Sequence, residues 1–501
     1  ASKAYWDAIC VKHIPRLMLS PHARIIRTPR LQCNNTSRFV LNNALEGTYQ
    51  VATHATCVCN ELVALYNRHL VDRTYIGFDK TYYKRMARTV ASEFQFEAIE
   101  PINTAKFIAR YQGPKKMAYV RALANIQTHG FLPAWANVKM FVKPDKYAVS
   151  DAMTKAPRAI QYRSPEFNLL LGKFLQPIEE WFYHQSSPSG FRFVAKGLNN
   201  VERAVLLRDI SDTYDAPVFI LLDHKAYDST INVEHIKSCH RLYGKCNSSR
   251  RLKNLLRYQL RNKGYSRHGI KYVVEGTRMS GDFDTALGNT IVNYITLRSW
   301  LKKHQVRGDI ILDGDDSVVI VERSSLGRLD PNHFKLCGFE TKMQVVHQLV
   351  DVEFCQGKYL PCDPPRFARN PIRALSRLNI SVRDYHGSGW RRYQAGVGLA
   401  ETAVSQGVPI LHEVGRRLAA LSSRPIHDTE TYYKTLVNNS EVEITPEVRV
   451  AFHEAWGISP EEQRLIESTY TPHIRSAPHE LIQQYLSLDD AAEETPLAFP
   501  R

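Results

Sequence analysis

The 501-residue sequence contains no run of about 18 apolar residues, the length that a membrane-spanning helix needs. Its first twenty residues mix charged and apolar side chains, so we expect neither a transmembrane segment nor a secretory signal. The nine cysteines lack the spacing of a disulfide framework, which indicates a reducing compartment. The local cluster His54-x-x-Cys57-x-Cys59 has no second ligand pair nearby, which disfavours a zinc site there.

Several other sequence signatures are missing. There is no internal repeat, which disfavours a solenoid or a propeller. The best candidate for a phosphate-binding loop, Gly264-x4-Gly269, has Ile270 where lysine is required. Neither an H-E-x-x-H pattern nor a G-x-S-x-G pattern occurs. These absences disfavour an ATP-driven helicase, a metalloprotease and a serine hydrolase.

Positive charge is abundant. The chain has 66 Lys+Arg against 50 Asp+Glu, a net charge of +16, although residues 441–501 hold 12 Asp+Glu against 4 Arg and no Lys. Such a surplus favours nucleic acid or an anionic membrane surface as a partner, and a merely soluble basic surface is the alternative. With 44% hydrophobic residues the chain can bury a large interior, and we expect two or three packed subdomains.

Three carboxylates occur together between two β-branched apolar runs. The segment from Ile310 to Val321 has Asp313-Gly314-Asp315-Asp316 at its centre, a pattern that predicts a β-hairpin. Acids at the tip of a buried hairpin repel one another unless a cation neutralises them. A hard divalent ion such as Mg²⁺ would do so, whereas the alternative is an ordinary acidic turn.

A second pair of acids follows an apolar strand. The run from Pro217 ends in Asp223, and Asp228 lies five residues later, before a helix predicted to start near Ser229 or Thr230. Two strands that each end in aspartate can share two metal ions that activate a 3′-hydroxyl and stabilise a leaving pyrophosphate. Metal-assisted phosphoryl transfer is therefore the leading hypothesis.

A polar stripe is predicted on the helix that follows Gly276. Asp282, Thr285 and Asn289 are spaced to share one helical face. Beside the carboxylates, such a stripe could read a ribose 2′-hydroxyl. Helix capping is the alternative role for Asp282.

A basic segment separates these motifs. Arg250, Arg257 and Arg261 are predicted to lie near one helical face, interleaved with Tyr258, Tyr265 and Tyr272. The segment is either a solvated helix surface or a strip that follows a phosphate backbone, with the aromatic rings available for stacking.

The three acidic and polar segments, in this order, resemble motifs A, B and C of viral RNA-dependent RNA polymerases, especially the tombusvirus and carmovirus-like group. The tract Phe141-Val-Lys143-Pro-x-Lys146 with Lys155-Ala-Pro-Arg158-Ala-Ile-Gln-x-Arg163 is similar to that group's motif F. Lys196-Gly197 resembles its following KG element, and Glu353-Phe-Cys-Gln356 stands where motif E would be. The resemblance covers roughly residues 130–360.

The resemblance implies an α+β right-hand polymerase with fingers, a palm built on an antiparallel sheet flanked by helices, and a helical thumb. The implied boundaries are 1–215 for the N-terminal region and fingers, 216–245 for the palm with motif A, 246–275 for a fingers insertion, 276–360 for the palm with motifs B to E, and 361–501 for the thumb and C-terminal segment.

The resemblance also implies roles at the reacting centre. Asp223 and Asp315, assisted by Asp316, would hold two Mg²⁺ or Mn²⁺ ions. Lys342 is the candidate general acid that protonates pyrophosphate, with Lys335 as its rival.

Nucleotide and RNA contacts are implied in the same way. The triphosphate would meet Lys143, Lys155 and Arg158. Asp228 and Asn289 would select the ribose hydroxyl, aided by Ser280 or Thr285, with Asp282 also at the nucleotide. The residues expected to contact RNA are Lys139, Lys146, Arg163, Arg250, Arg257, Arg261 and Gly281.

The implied activity is RNA-directed synthesis of RNA from ribonucleoside triphosphates, replicating a positive-strand viral genome. The implied partners are a single-stranded RNA template, the product duplex and a membrane-anchored viral replication protein, at membrane-associated complexes in the host cytoplasm. A reverse transcriptase would block the 2′-hydroxyl with a bulky side chain, where this chain has Asp228 and Asn289. A non-enzymatic RNA-binding or capsid-type protein leaves the acids at two strand ends unexplained, and a metal-dependent nuclease leaves the polar stripe unexplained.

Overall fold

The computed structural model describes residues 5–33, 38–41, 51–378, 380–383, 385, 387–427 and 429–470. It mixes helices with largely antiparallel sheets, so the α+β prediction is confirmed. Residues 471–501 of the acidic region 441–501 lie outside the described residues.

The strands of the described residues are short, and most pair with strands distant in sequence. In chain order they are β1 Tyr5–Asp7, β2 Ala23–Arg27, β3 Arg38–Leu41, β4 Val51–Ala52, β5 Val138–Val142, β6 Tyr147–Ala148, β7 Ala159–Tyr162, β8 Pro217–His224, β9 Arg261–Ser266, β10 Lys271–Glu275, β11 Gly308–Asp313, β12 Asp316–Glu322, β13 Thr341–Val346, β14 Glu353–Phe354, β15 Gly357–Leu360, β16 Arg366–Arg369 and β17 Ile380–Ser381.

The α-helices of the same residues are α1 Val58–Ala64, α2 Lys80–Ala91, α3 Thr104–Ala109, α4 Gly113–His129, α5 Val149–Thr154, α6 Pro165–Tyr183, α7 Asn200–Ser211, α8 Tyr227–Thr230, α9 Val233–Cys246, α10 Arg250–Leu256, α11 Thr285–Lys303, α12 Asn332–Leu336, α13 Pro371–Leu378, α14 Ser388–Val404, α15 Leu411–Ala419, α16 Thr429–Lys434, α17 Pro446–Trp456 and α18 Pro460–Thr469. A π-helical turn, Leu65–His69, extends α1. In the part of the chain that the structure describes, no helix is long and apolar enough to cross a membrane.

The central sheet is antiparallel, with the strand order β11-β12-β8-β13. Val218, Ile220 and Leu222 on one face of β8 pack in a core shared with α2, α6, α9 and α11. Phe219, on the opposite face, packs in a second core that includes α7. Because both faces are covered, β8 is apolar throughout until it reaches Asp223.

A five-stranded sheet, ordered β2-β10-β9-β5-β7, carries the strands of the tract similar to motif F. Its pairs are antiparallel except β5 with β9, which run parallel. A three-stranded sheet, β14-β15-β16, and the C-terminal helices share a further core. The remaining strands form the small sheets β1-β3-β17 and β4-β6.

The basic segment after α9 is not one helix, which corrects the prediction. Helix α10 ends at Leu256, a 3-10 turn covers Arg257–Gln259, and Arg261 begins β9. Arg250, Arg257 and Arg261 therefore do not share a helical face, because Arg261 and its followers pair with β10 and β5. The helix predicted to start near Ser229 begins later, at Val233, after the single turn α8.

Candidate active site

The predicted hairpin is present. Strands β11 and β12 pair from Gly308 opposite Val321 to Asp313 opposite Asp316, leaving Gly314 and Asp315 as a two-residue turn. Gly314 has φ +64°, a left-handed conformation that a side chain would strain, and glycine is favoured there in tight hairpins. This turn holds Asp315 and Asp316 at the end of the sheet.

Four charged side chains form a row across this end of the central sheet, which we call the tip row: Lys342, Asp223, Asp316 and Asp313. Lys342 on β13 is paired directly with Asp223 on β8. Asp316 is one residue before Ser317, which pairs with Leu222, and it is itself paired with Asp313. Directly opposed residues of antiparallel strands point to the same face. The register therefore brings Asp223, Asp316 and Lys342 together on one face.

The acids Asp223, Asp315 and Asp316, which we call the tip carboxylates, are all exposed and lie close enough to affect one another. Partial desolvation, then the charges of Asp228 and Asp223, raises the pKa of Asp315 to about 6. Desolvation, followed by the charges of Asp315, Asp313 and Asp223, raises the pKa of Asp316 to about 7. Acids that repel in this way favour a bound proton or a bound cation.

Asp313 is in the same turn but is neutralised by the protein. Its two carboxylate oxygens meet Lys196 Nζ at 3.3 Å and Arg203 Nη2 at 2.8 Å. Burial would raise its pKa, but these two cations hold the pKa of Asp313 below its ordinary value. Lys196 belongs to the predicted KG element, whereas Arg203 was not predicted from the sequence.

The turn that resembles motif E packs beneath Asp313. Cys355 and Gln356 connect β14 to β15, and both have positive φ, at +48° and +65°. The Arg203 guanidinium donates to Cys355 Sγ at 3.4 Å, and the same sulfur lies 3.9 Å from Asp313 Oδ2. The motif-E-like turn thus helps to fix the base of the acidic hairpin.

Helix α11 holds the acidic turn from the other side. Asn293 Nδ2 donates to the carbonyl oxygens of Gly314, at 3.0 Å, and Asp315, at 3.3 Å. Asn293 Oδ1 lies 2.9 Å from Nε2 of the buried His224. Thr290 Oγ1 accepts from the Gly314 N–H at 3.3 Å. No role was predicted for these positioning residues, although Thr290 and Asn293 have the i, i+3 spacing of one helical face.

Asp228 and Asn289, predicted to select the ribose, are in contact. Asn289 Nδ2 donates to Asp228 Oδ1 at 2.8 Å, and its own oxygen accepts from Arg278 Nε at 3.1 Å. Burial raises the pKa of Asp228, an effect that Asn289, Arg278, Arg158 and Lys143 partly offset. Because Arg158 and Lys143 act on this acid, two of the three predicted triphosphate contacts lie on the side of the carboxylates.

Asp282 and Arg163 occupy a different environment from the one predicted. Arg163 is 1% exposed, and its guanidinium makes two bonds to Asp282, of 2.6 and 3.3 Å. Asp282 precedes α11 and is not on its exposed face. Burial of both partners argues against the predicted RNA contact of Arg163 and nucleotide contact of Asp282, because neither charge faces solvent.

Ser280, Thr285 and Gly281 form the approach to α11. Ser280 Oγ accepts from the Gln161 N–H at 3.1 Å, and Thr285 Oγ1 donates to Met279 O at 2.6 Å. A Cβ on Gly281 would lie 2.6 Å from Tyr162 Cβ, so close packing on β7 explains this glycine without RNA. The structure brings Ser280 and Thr285 to the same loop, while their predicted help in ribose selection stays a prediction.

The cations predicted at the triphosphate and the RNA lie on several elements, including β5, α10 and β9. Lys143 and Arg158 share the carboxylate of Asp145, and Lys155 pairs with Asp151. Lys146 donates to the Arg377 carbonyl oxygen. The predicted RNA contacts that are exposed are Lys139, Arg250, Arg257 and Arg261.

The aromatic rings near this basic segment are mostly unavailable. Tyr272 is 1% exposed and donates to Gln161 Oε1, while Tyr258 packs against Phe131 and Phe167. Tyr265 alone of the three predicted stacking rings is exposed. Stacking by Tyr272 is therefore excluded in this conformation.

The two candidate general acids differ in position. Lys342 is an exposed residue of β13 in the tip row, as described above. Lys335 is on α12, where its side chain covers Gly77. The geometry favours Lys342, although its role stays a prediction.

The donor atoms of the tip carboxylates suit a hard divalent cation. Within the described residues, no Lys or Arg forms an ion pair with Asp223, Asp315 or Asp316. Carboxylate oxygens are the ligands that Mg²⁺ and Mn²⁺ prefer. The raised pKa values of Asp315 and Asp316 show that neutralisation by a cation would relieve repulsion.

Comparison with known proteins gives a consistent family match. A family model described as viral RNA-dependent RNA polymerase matches residues 25–477. The RNA-directed RNA polymerase of Oat chlorotic stunt virus is 30% identical over 413 residues, covering 74% of this chain and 54% of the relative.

Two further relatives carry the same name. That of Melon necrotic spot virus is 27% identical over 425 residues, 79% of this chain and 52% of the relative. That of Cymbidium ringspot virus is 30% identical over 381 residues, 72% of this chain and 46% of the relative. The chain thus spans about half the length of these relatives. The matches confirm the resemblance that the sequence motifs indicated.

Proposed function

Because this chain belongs to the viral RNA-dependent RNA polymerase family, we propose that it contains a centre for RNA-directed RNA synthesis from ribonucleoside triphosphates. The observation that carries the proposal is the set of three acids at adjoining strand ends with no ion-paired protein cation among the described residues. A binding protein has no need for such mutually repelling acids.

The tip carboxylates would hold two Mg²⁺ or Mn²⁺ ions, Asp223 and Asp315 as principal ligands and Asp316 assisting. When bound, these ions would lower the pKa of the 3′-hydroxyl and stabilise the charge on the pyrophosphate. Asn293, Thr290 and the ion pairs of Asp313 fix the backbone of the turn, so the carboxylates need little rearrangement to act.

Several side chains would bind and orient the nucleotide. Arg158 and Lys143 would bind the triphosphate, because both lie where they already influence Asp228. Asn289 and Asp228 would hydrogen-bond the ribose hydroxyl. Lys342 would supply the proton to the leaving pyrophosphate, since its register opposite Asp223 places it on the face of the tip carboxylates.

At a coarser level we propose that the central sheet is the palm, that the five-stranded sheet and the helices before it form fingers, and that the helices after β16 form the thumb. The biological role would be replication of a positive-strand RNA genome. An RNA template and product duplex would be its partners, together with a membrane-anchored viral protein at cytoplasmic replication complexes.

The proposal is tested by incorporation of labelled ribonucleotides on a single-stranded RNA template with Mg²⁺. Asp315→Asn and Asp223→Asn should each reduce incorporation at least about 10³-fold, because the lost charge is needed in the transition state. RNA affinity should change less than about threefold, since these acids do not bind phosphate. Asp209→Asn, a change of an exposed acid on α7, serves as the control. Near-normal synthesis by Asp315→Asn would contradict the proposal.

Ribose selection has its own test. Asn289→Ala removes the amide that bonds Asp228, so discrimination between ribonucleotide and deoxyribonucleotide should fall by about tenfold, the cost of one hydrogen bond. The measurement is the ratio of kcat/KM for the two nucleotides. An unchanged ratio would assign selection to Asp228 alone.

A further inference from the structure

Three cysteines that are far apart in sequence meet near the N-terminus of the described chain. The Sγ atoms of Cys10, Cys33 and Cys57 all lie within 4.8 Å of one another. Cys57 and Cys10 are 3.6 Å apart, and all three are free thiols. Such convergence of three residues, separated by 23 and 24 positions in the chain, is not produced by any local motif.

This grouping differs from the sequence cluster considered above. Of His54, Cys57 and Cys59, only Cys57 takes part. His54 instead contacts the Ala152 carbonyl oxygen through Nε2 at 2.7 Å. Alternate residues of one segment are a poor geometry for a tetrahedral site, whereas residues from three segments can surround an ion.

The backbone around two of the thiols is fixed by a buried amide. Asn60 is 0% exposed; its Oδ1 accepts from the Val11 N–H at 2.8 Å, and its Nδ2 donates to the carbonyl oxygens of Ile9 and Ala55. These bonds hold the segment of Cys10 against the segment of Cys57. Two of the three ligands are therefore preorganised, which lowers the cost of assembling a site.

The sulfur positions match a tetrahedral thiolate centre. With Zn–S bonds of about 2.3 Å, sulfurs at tetrahedral corners lie about 3.8 Å apart. The 3.6 Å between Cys10 and Cys57 is close to this value, and the limit of 4.8 Å leaves Cys33 about 1 Å to move. Cys33 is exposed, so a small adjustment of its side chain is possible and solvent can reach the fourth corner.

We propose that Cys10, Cys33 and Cys57 form a Zn²⁺ site with three thiolate ligands and a fourth position taken by water. Thiolates are soft ligands that select zinc over Mg²⁺ or Mn²⁺, so this site is chemically distinct from the tip carboxylates. No fourth His, Cys, Asp or Glu joins the group within the described residues. The ion would connect the N-terminal segment, the chain after β2 and the start of α1.

Burial raises the pKa of the Cys57 thiol, and Cys10 and Cys33 add to this shift. Burial and Cys10 also raise the pKa of the Cys33 thiol, an effect that a hydrogen bond with Cys57 partly offsets. Bound zinc would favour the deprotonated form instead, because it binds the thiolate and displaces the proton. The site therefore binds metal with release of protons.

The test is Co²⁺ substitution in the reduced, metal-free chain, followed by its absorption spectrum and by competition with Zn²⁺. The parent should take up one Co²⁺ with sulfur-to-cobalt charge transfer and tetrahedral d–d bands, and Zn²⁺ should displace it. Cys10→Ser, Cys33→Ser and Cys57→Ser should each weaken binding at least about tenfold and reduce the charge-transfer intensity.

Matched controls separate a site from general thiol binding. Cys59→Ser removes a buried thiol from the same segment, outside the group, and should leave the spectrum unchanged. Asp223→Asn should also leave it unchanged, because the tip carboxylates are a separate site. Circular dichroism of Cys33→Ser, whose cysteine is exposed, checks that the fold is retained.

Two outcomes would overturn the proposal. One is the absence of thiolate charge transfer in the folded, reduced parent. The other is an equal loss of intensity in Cys59→Ser and Cys33→Ser. If the reduced chain takes up no metal and peptide mapping after air oxidation links Cys10 to Cys57, these two residues would instead be assigned to a disulfide pair.

Discussion

Two groups of buried or crowded carboxylates differ in whether a protein cation neutralises them. Asp282 is bonded to Arg163, Asp284 faces Arg278 Nη1 at 3.6 Å, and Asp313 is held by two cations. Asp223, Asp315 and Asp316, which lie beside Asp313 at the end of the central sheet, have no ion pair within the described part of the chain. The acids bonded within the fold each have a protein cation, and the tip carboxylates are left for the external cation that we propose.

The pKa values follow the same division for Asp284 and Asp313, whereas at Asp282 burial outweighs the charge of Arg163 and raises the pKa. Despite burial, Arg278 holds the pKa of Asp284 below its ordinary value, and Lys196 with Arg203 does so for Asp313. Repulsion and desolvation move Asp315 and Asp316 the other way, to about 6 and about 7. Clusters of perturbed acids are typical of functional sites, and here the paired acids next to them provide the internal reference.

The largest expected effect comes from breaking a buried pair. Arg163→Met would leave the Asp282 charge buried without a partner, so the free energy of unfolding should fall by about 3–5 kcal/mol. Arg158→Met, which loses an exposed pair with Asp145 nearby, should cost less than about 1 kcal/mol. Urea unfolding of both variants measures the difference. Equal losses would show that Arg163 and Asp282 do not form the structural pair described above.

Substitutions of Asp313 and Asp316 should change the free energy of unfolding by a smaller amount and in opposite directions. In metal-free buffer at pH 7.5, Asp313→Asn should destabilise the fold by about 1–3 kcal/mol, since it weakens two charged hydrogen bonds. Asp316→Asn should stabilise it, by on the order of 1 kcal/mol after allowance for solvent screening. Thermal unfolding of the two variants measures both shifts.

The pH dependence of these two variants follows from the direction of each pKa shift. In the folded protein the pKa of Asp316 is raised from its ordinary value of 3.8 to about 7. The free-energy cost of ionising Asp316 in the fold is therefore absent below about pH 4 and grows as the pH rises through about 7. The stabilisation that Asp316→Asn produces should increase over the same pH range. The pKa of Asp313 is lowered in the folded protein, so the stabilisation from its ion pairs is present above pH 4 and is lost in acid. If both variants changed the stability in the same direction at pH 7.5, the division between paired and unpaired acids would be contradicted.

The sequence predicts the apolar strands and the tight turn of this arrangement well. The β-branched runs around Gly314 and the apolar run before Asp223 are local patterns, and all three strands form where they were predicted. The family resemblance was also available from the motifs and is confirmed. Local patterns suffice here because strand burial and a tight turn depend on adjacent residues.

Long-range partners could not be predicted in the same way. Arg163 and Asp282 are 119 positions apart, and the sequence gives an arginine in a basic tract no sign that it is buried. Arg261 has a helical spacing from Arg257, but pairing with β10 places it in a strand. The thiol group of Cys10, Cys33 and Cys57 has no local signature at all. In each case the deciding contact is tertiary.

The most direct test of the account is Mn²⁺ binding, followed by electron paramagnetic resonance, in the parent, Asp315→Asn and the surface control Asp209→Asn. If the tip carboxylates lack a protein cation because a divalent ion neutralises them, the parent and Asp209→Asn should bind Mn²⁺ equally, and Asp315→Asn at least about tenfold more weakly. Undiminished Mn²⁺ binding by Asp315→Asn would contradict this central claim.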